Sequence, residues 1–118
     1  MAFLGPESTW AAEASECAGE QGKFWEYHDK LYASQSGENQ GVFSKAHLKE
    51  FASAISLDSQ KFEECFDQGK FSDRVESQTN LARQLGITST PAFVINGQFI
   101  LGAQPYEVFQ QVIEGELK

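Results

Sequence analysis

The chain holds no Cys-x-x-Cys, and its only two cysteines, Cys17 and Cys65, lie far apart. Two cysteines at that separation exclude a zinc ribbon. His28 and His47 complete a formal Cys2His2 set, but no pair among the four has the short spacing that zinc sites use. No metal and no cofactor is therefore expected. Cations are scarce too: nine Lys and Arg against seventeen Asp and Glu leave a net charge of −8. Nucleic acids and anionic membranes both need a cationic face, so neither is an expected partner. No apolar run is long enough for a spanning helix, so no membrane insertion is expected. Met1-Ala2-Phe3-Leu4 is too short and too uncharged for a signal peptide. Either export is unnecessary or the exporting segment lies outside this sequence.

What is present reads as one globular domain. At 118 residues, with 41% apolar and 22% charged residues, the chain can bury a single modest core. Gly5-Pro6-Glu7-Ser8 leads into a first helix with Ser8 as its N-cap; Trp10, Ala14, Cys17 and Ala18 recur at helical spacing up to a stop near Gly22. In a second helix Phe24, Tyr27, His28, Leu31 and Tyr32 share a face. Ser34 to Gly41 is a polar surface loop. Ser44 caps a third helix whose face is Leu48, Phe51, Ala52 and Ile55. Asp58 or Ser59 starts a fourth, which carries Phe62, Cys65 and Phe66 and ends at Gly69. A fifth runs from Ser72 to Leu85, with Gly86 as its left-handed C-terminal residue. A last helix starts with Pro105 at its first position and carries Phe109, Val112 and Ile113.

Between the fifth and last helices lies the most informative stretch, Gly86-Ile87-Thr88-Ser89-Thr90-Pro91-Ala92-Phe93-Val94-Ile95-Asn96-Gly97-Gln98. Proline opens a strand harmlessly, because the first position need donate no ladder hydrogen bond. Asn96-Gly97, set between Phe93-Val94-Ile95 and Phe99-Ile100-Leu101, predicts a two-residue hairpin turn, where both turn residues need positive φ. The predicted order is five helices, an antiparallel hairpin and a C-terminal helix.

This pattern resembles the DsbA-like thioredoxin-fold thiol-disulfide oxidoreductases, an α/β class, over nearly every residue. Phe3-Leu4-Gly5-Pro6 is similar to the end of the family's Phe-Pro-Leu-type loop. Ala11 through Gln35, including Gln21-Gly22-Lys23-Phe24-Trp25-Glu26-Tyr27-His28, resembles the first inserted helices. Leu85 to Pro91 resembles the approach to the cis-proline, with Ser89 where relatives often have Gly. Gly102-Ala103-Gln104 resembles the turn into the last helix. The resemblance implies a single truncated domain, with residues 7–85 as helical insertion and 86–118 as cis-Pro loop, hairpin and final helix. The Cys-x-x-Cys unit of such proteins has no counterpart here. That leaves two readings, a shortened chain or a natural short protein.

In complete relatives the nucleophile is the first cysteine of that motif, at a helix N-terminus where its thiolate is stabilised. The resemblance implies that Thr90 and Pro91 face this site through a cis bond and pair with an extended polypeptide substrate. The pattern alone reads as an ordinary trans proline. Neither Cys17 nor Cys65 begins a helix, and both lie on apolar faces, which makes them poor nucleophiles. They are read as a structural Cys17–Cys65 disulfide joining the first and fourth helices, as some relatives carry, or alternatively as two buried thiols. His28 reads as a satisfied, half-buried histidine and His47 as solvated. Glu13, Glu16 and Glu20 read as a solvated acidic face.

Without the missing unit, the strand at 92–96 has a bare apolar edge, Phe93-Val94-Ile95, and such an edge is an association site. A homodimer pairing these edges across a two-fold axis is expected. The expected function is the substrate side of a thiol-disulfide oxidoreductase, extracytoplasmic in its full-length form and inactive alone. The alternative is a non-catalytic peptide-binding or chaperone-like module. A glutathione-linked relative of the kappa-transferase and chromene-isomerase type is a third reading, which also depends on the absent unit.

Overall fold

A computed structural model describes residues 1–118. The elements are α1 (Pro6–Glu20), α2 (Phe24–Ser34), α3 (Lys45–Ala54), α4 (Ser59–Asp67), α5 (Ser72–Gln84), β1 (Ala92–Ile95), β2 (Gln98–Leu101) and α6 (Tyr106–Glu116). They fall into two compact units, Met1–Asn80 and Leu81–Lys118, and the division lies within α5.

The first unit is helical. Ala14, Cys17 and Ala18 of α1, Tyr27 of α2, Leu48 and Ala52 of α3, and Phe62, Cys65 and Phe66 of α4 form one buried cluster with Leu57. Small residues on α1 let the larger rings of Tyr27 and Phe62 fill the centre, their centroids 5.7 Å apart. Tyr27 is fully buried, and its hydroxyl donates to the Leu48 carbonyl at 2.8 Å. That bond answers both the hydroxyl and the carbonyl, either of which would be costly unpaired in a core. Cys17 and Cys65 form a disulfide between α1 and α4, with Cα atoms 5.9 Å apart and a sequence separation of 48. Closing a loop of that length in the unfolded chain corresponds to about 4 kcal/mol on chain-entropy reasoning.

Helix ends follow local chemistry. Ser44 accepts from the His47 N–H at 3.3 Å and Asp58 from the Lys61 N–H at 3.1 Å, so α3 and α4 start where the capping residues direct. Gly69 and Gly86 adopt positive φ after α4 and α5. The start of α1 differs from the sequence expectation. Pro6 takes the first turn and Gly5 the cap, so Ser8 lies inside the helix and caps nothing. A proline is pre-organised for that first position, and this outweighs the capping preference of a serine two residues later. At α6 the shift is the other way: Pro105 is the cap residue and Tyr106 the first helical one.

The second unit consists of the end of α5, the hairpin and α6. Asn96 and Gly97 have φ of 46° and 82°, the two positive values a two-residue hairpin turn requires. The antiparallel register pairs Ala92 with Leu101, Phe93 with Ile100, Val94 with Phe99 and Ile95 with Gln98. Cross-strand partners share a sheet face, so two faces follow. One face carries Phe93, Ile95, Gln98 and Ile100. The Phe93 ring meets Phe109 of α6 edge-on at 4.8 Å, and Gln98 reaches the Glu116 carboxylate. Ala92, Val94, Phe99 and Leu101 form the other face, turned away from α6.

Candidate functional site

The site is built from the loop that enters β1. After α5, the Ile87 N–H donates to the Ala82 carbonyl at 3.0 Å, which turns the chain out of the helix at Gly86. Four short residues, Thr88 to Pro91, then lead to the strand. The Thr90–Pro91 peptide bond is cis. The Pro91 carbonyl accepts from the Gly102 N–H at 2.9 Å, which extends the hairpin pairing one step beyond the regular strands and pins Pro91 to its base. Thr90 and Pro91 are both exposed. In the two-strand sheet β1 pairs only with β2, so its other edge carries backbone groups without a ladder partner. An exposed loop followed by an open strand edge can accept an extended chain by backbone hydrogen bonding.

The other predicted residues lie elsewhere. Cys17 and Cys65 are in the helical unit, bonded to each other and 1% and 6% exposed, so neither presents a thiolate. Phe93, Val94 and Ile95 lie in β1, with Phe93 and Ile95 on the α6 side and Val94 on the opposite face. His28 packs edge-on against Trp25 and at a tilt against Tyr32, with Nδ1 3.1 Å from the Asp29 carboxylate. Its companions Trp25 and Tyr32 are largely exposed, so only Tyr27 of this helix is buried. His47 Nδ1 lies 2.9 Å from the Gly41 carbonyl at an exposed position.

The acidic face of α1 is partly neutralised rather than free. Glu16 lies 3.6 Å from Arg74, and Glu20 pairs with Lys70. Burial pushes the Glu13 carboxyl above its ordinary range, against the opposing pull of Lys45. Burial likewise raises the Tyr27 phenol.

The sequence reading missed Glu7. It is 6% exposed, and its two carboxylate oxygens accept from the Gly41 N–H at 3.0 Å and the Phe43 N–H at 2.7 Å. It fastens the polar loop before α3 to the first turn of α1. Nothing local marks it, because its partners lie more than thirty residues away.

Comparison with known proteins accords with this geometry. The fold is thioredoxin-like, with six helices and a two-stranded antiparallel sheet. The chain belongs to the thioredoxin family, whose pattern matches residues 2–115. It is similar to disulfide bond formation protein D of Bacillus subtilis, 29% identical over 119 residues covering 98% of this chain and 54% of that protein. It is also similar to the Na(+)/H(+) antiporter NhaA 1 of Salinispora arenicola, 32% identical over 92% of this chain but only 16% of the antiporter. A thioredoxin-like oxidoreductase from Silicibacter pomeroyi superposes with a TM-score of 0.78 at 24% identity, covering 97% of this chain and 63% of that one. The chain thus spans about half of the first relative and about a sixth of the second.

Proposed function

We propose that this chain is the substrate-holding part of a DsbA-like thiol-disulfide oxidoreductase, with no redox turnover of its own. The observation that carries the reading is the exposed Thr88–Pro91 loop at the entry to β1. An extended polypeptide would lie against Thr90 and Pro91, its backbone exchanging hydrogen bonds with that of Thr90. The relative named as a disulfide bond formation protein supports the assignment of substrate class. Disulfide exchange needs an accessible thiolate. The two sulfurs here are bonded and buried, so the chain supplies binding and leaves electron transfer to a Cys-x-x-Cys outside this sequence. Such chemistry belongs in an extracytoplasmic setting, where disulfides persist.

The alternative reading, a non-catalytic polypeptide-binding module, uses the same loop and edge. The similarity to a small part of sodium/proton antiporters favours it, since those proteins are not named for disulfide chemistry.

The deciding experiment has two parts. A reduced, carboxamidomethylated polypeptide is titrated into the isotope-labelled chain, and amide shifts are expected at residues 89–95. Shifts confined to other residues, or none, would sink the binding assignment. Insulin reduction by dithiothreitol is then followed with and without the chain. The rate is expected to match buffer, and acceleration comparable to a complete thioredoxin would show redox turnover after all.

A further inference from the structure

The two halves of the disulfide have different surroundings. Cys17 is enclosed by the helical core, whereas Cys65 lines a cavity of about 610 Å³ between the end of α1 and α4. That volume lies within the ~300–1,000 Å³ of ordinary small-molecule pockets. Every lining residue belongs to the helical unit, and contacts inside that unit fix the walls. Gln21 exchanges two hydrogen bonds with the Asp58 backbone, at 3.1 and 2.8 Å, and Glu20 pairs with Lys70. The chain after α4 runs back along α1: Lys70 sits beside Glu20, Arg74 beside Glu16, and the Thr79 hydroxyl accepts from the Ala2 N–H at 3.0 Å. The cavity therefore lies at the far end of α1 from Met1 and Asn80, about 20 Å along that helix of 15 residues.

Two polar groups of the cavity are unspent. The Lys61 ammonium and the Gln68 side-chain amide have no partner in the chain; only the Lys61 backbone N–H is taken, by the Asp58 cap. Both can donate to a carboxylate. Glu64 adds a carboxylate, held by Gln60 at 3.1 Å, that can receive an ammonium. The charge pattern suits a small molecule that carries carboxylate and ammonium groups together. What makes the place chemical is the Cys65 sulfur in its wall.

We infer that Cys65 is a modification site, where a small thiol of the amino-acid type enters the cavity and opens the disulfide. Its thiolate attacks Cys65 Sγ, a new S–S bond forms there, the Cys17–Cys65 bond breaks, and Cys17 leaves as a thiolate. A second thiolate then attacks the small molecule's own sulfur in this mixed disulfide and releases Cys65. Two small thiols are oxidised to one small disulfide, the protein disulfide is reduced to two thiols, and the two protons end on Cys17 and Cys65. Access decides which sulfur is attacked. Cys17 is surrounded by the core cluster and lines no part of the cavity, so entry is at Cys65 alone. The chain is a reactant here and not a catalyst, and the inference does not rest on polypeptide binding at Thr90 and Pro91.

The test exposes the oxidised chain to reduced glutathione, quenches with acid and maps the adduct by mass spectrometry. Glutathione is expected on Cys65, with Cys17 free. The rate of disulfide loss is then followed in rising urea, below the unfolding transition. Attack on the folded chain gives a rate that scarcely changes, whereas attack that waits for unfolding gives one that climbs steeply. Lys61→Ala is expected to slow glutathione about threefold, as loss of an exposed ion pair allows. The same variant should react with mercaptoethanol, which has no carboxylate, as fast as the parent chain. An adduct on Cys17, or a rate that climbs with urea, overturns the inference. So does a Lys61→Ala variant that leaves both thiols unaffected or slows both alike.

Discussion

The two units are built on opposite principles. Met1–Asn80 contains eleven of the twelve buried hydrophobic residues, a disulfide and a buried tyrosine whose hydroxyl is satisfied. Leu81–Lys118 contains the twelfth, Ile100, and exposes apolar side chains on its hairpin and helix. One unit is stabilised by its own interior. The other leaves its loop at Thr88 to Pro91 exposed. A binding surface must keep groups unsatisfied until the partner arrives, and that requirement conflicts with the burial that stabilises a core.

Breaking the disulfide should separate the units most. Replacing Cys17 and Cys65 together by Ala is expected to destabilise the helical unit by about 4 kcal/mol, on the loop-closure argument. Trp10 and Trp25 both lie in that unit, so denaturation followed by tryptophan fluorescence reads it directly. Hydrogen exchange of the hairpin amides, measured alongside, is expected to stay unchanged. An equal loss of protection in the hairpin would show that the two units unfold together.

A pair of phenylalanine substitutions sharpens the contrast. Phe62→Ala removes a fully buried ring and is expected to cost about 4 kcal/mol. Phe99→Ala, at a half-exposed ring, is expected to cost less than about 1 kcal/mol in the monomer. Chemical denaturation of both variants checks it, and similar costs would mean that the hairpin is better packed than its exposure indicates. Tyr27→Phe comes next. It strands the Leu48 carbonyl in the core and is expected to cost about 1–2 kcal/mol, measured in the same way.

The smallest effect is a pH dependence. Burial raises the Glu13 carboxyl above its ordinary value of 4.5 in the folded chain. The folded state therefore holds the proton more tightly than the unfolded state, and stability falls as pH rises through the window just above 4.5. Glu13→Gln is expected to flatten that part of the profile and to change stability little at lower pH. Thermal unfolding from acid to neutral pH tests this, and an unchanged slope in the variant would assign it to other carboxylates.

Much of this molecule was legible as local chemistry. Ser44 and Asp58 mark helix starts because a cap acts within three residues, and Asn96-Gly97 sets the hairpin register because the turn itself requires two positive φ values. Ser8 misled because Pro6, two residues earlier, had the stronger claim on the first turn. The second helix misled in another way: its 3.6-residue pattern put Tyr27 and Tyr32 on one face, yet only Tyr27 found an interior to enter.

By itself, then, the amino-acid order determined the elements, their sequence, the hairpin and the kinship with thioredoxin-fold proteins, since each rests on residues within a few positions of one another. Tertiary structure alone decided that Glu7 is consumed by the Gly41–Phe43 loop, and that Phe93 meets Phe109 while Val94 faces away from it. Those outcomes depend on which distant segments pack together. Such packing is settled by burial summed over the whole unit, not by any short pattern within it.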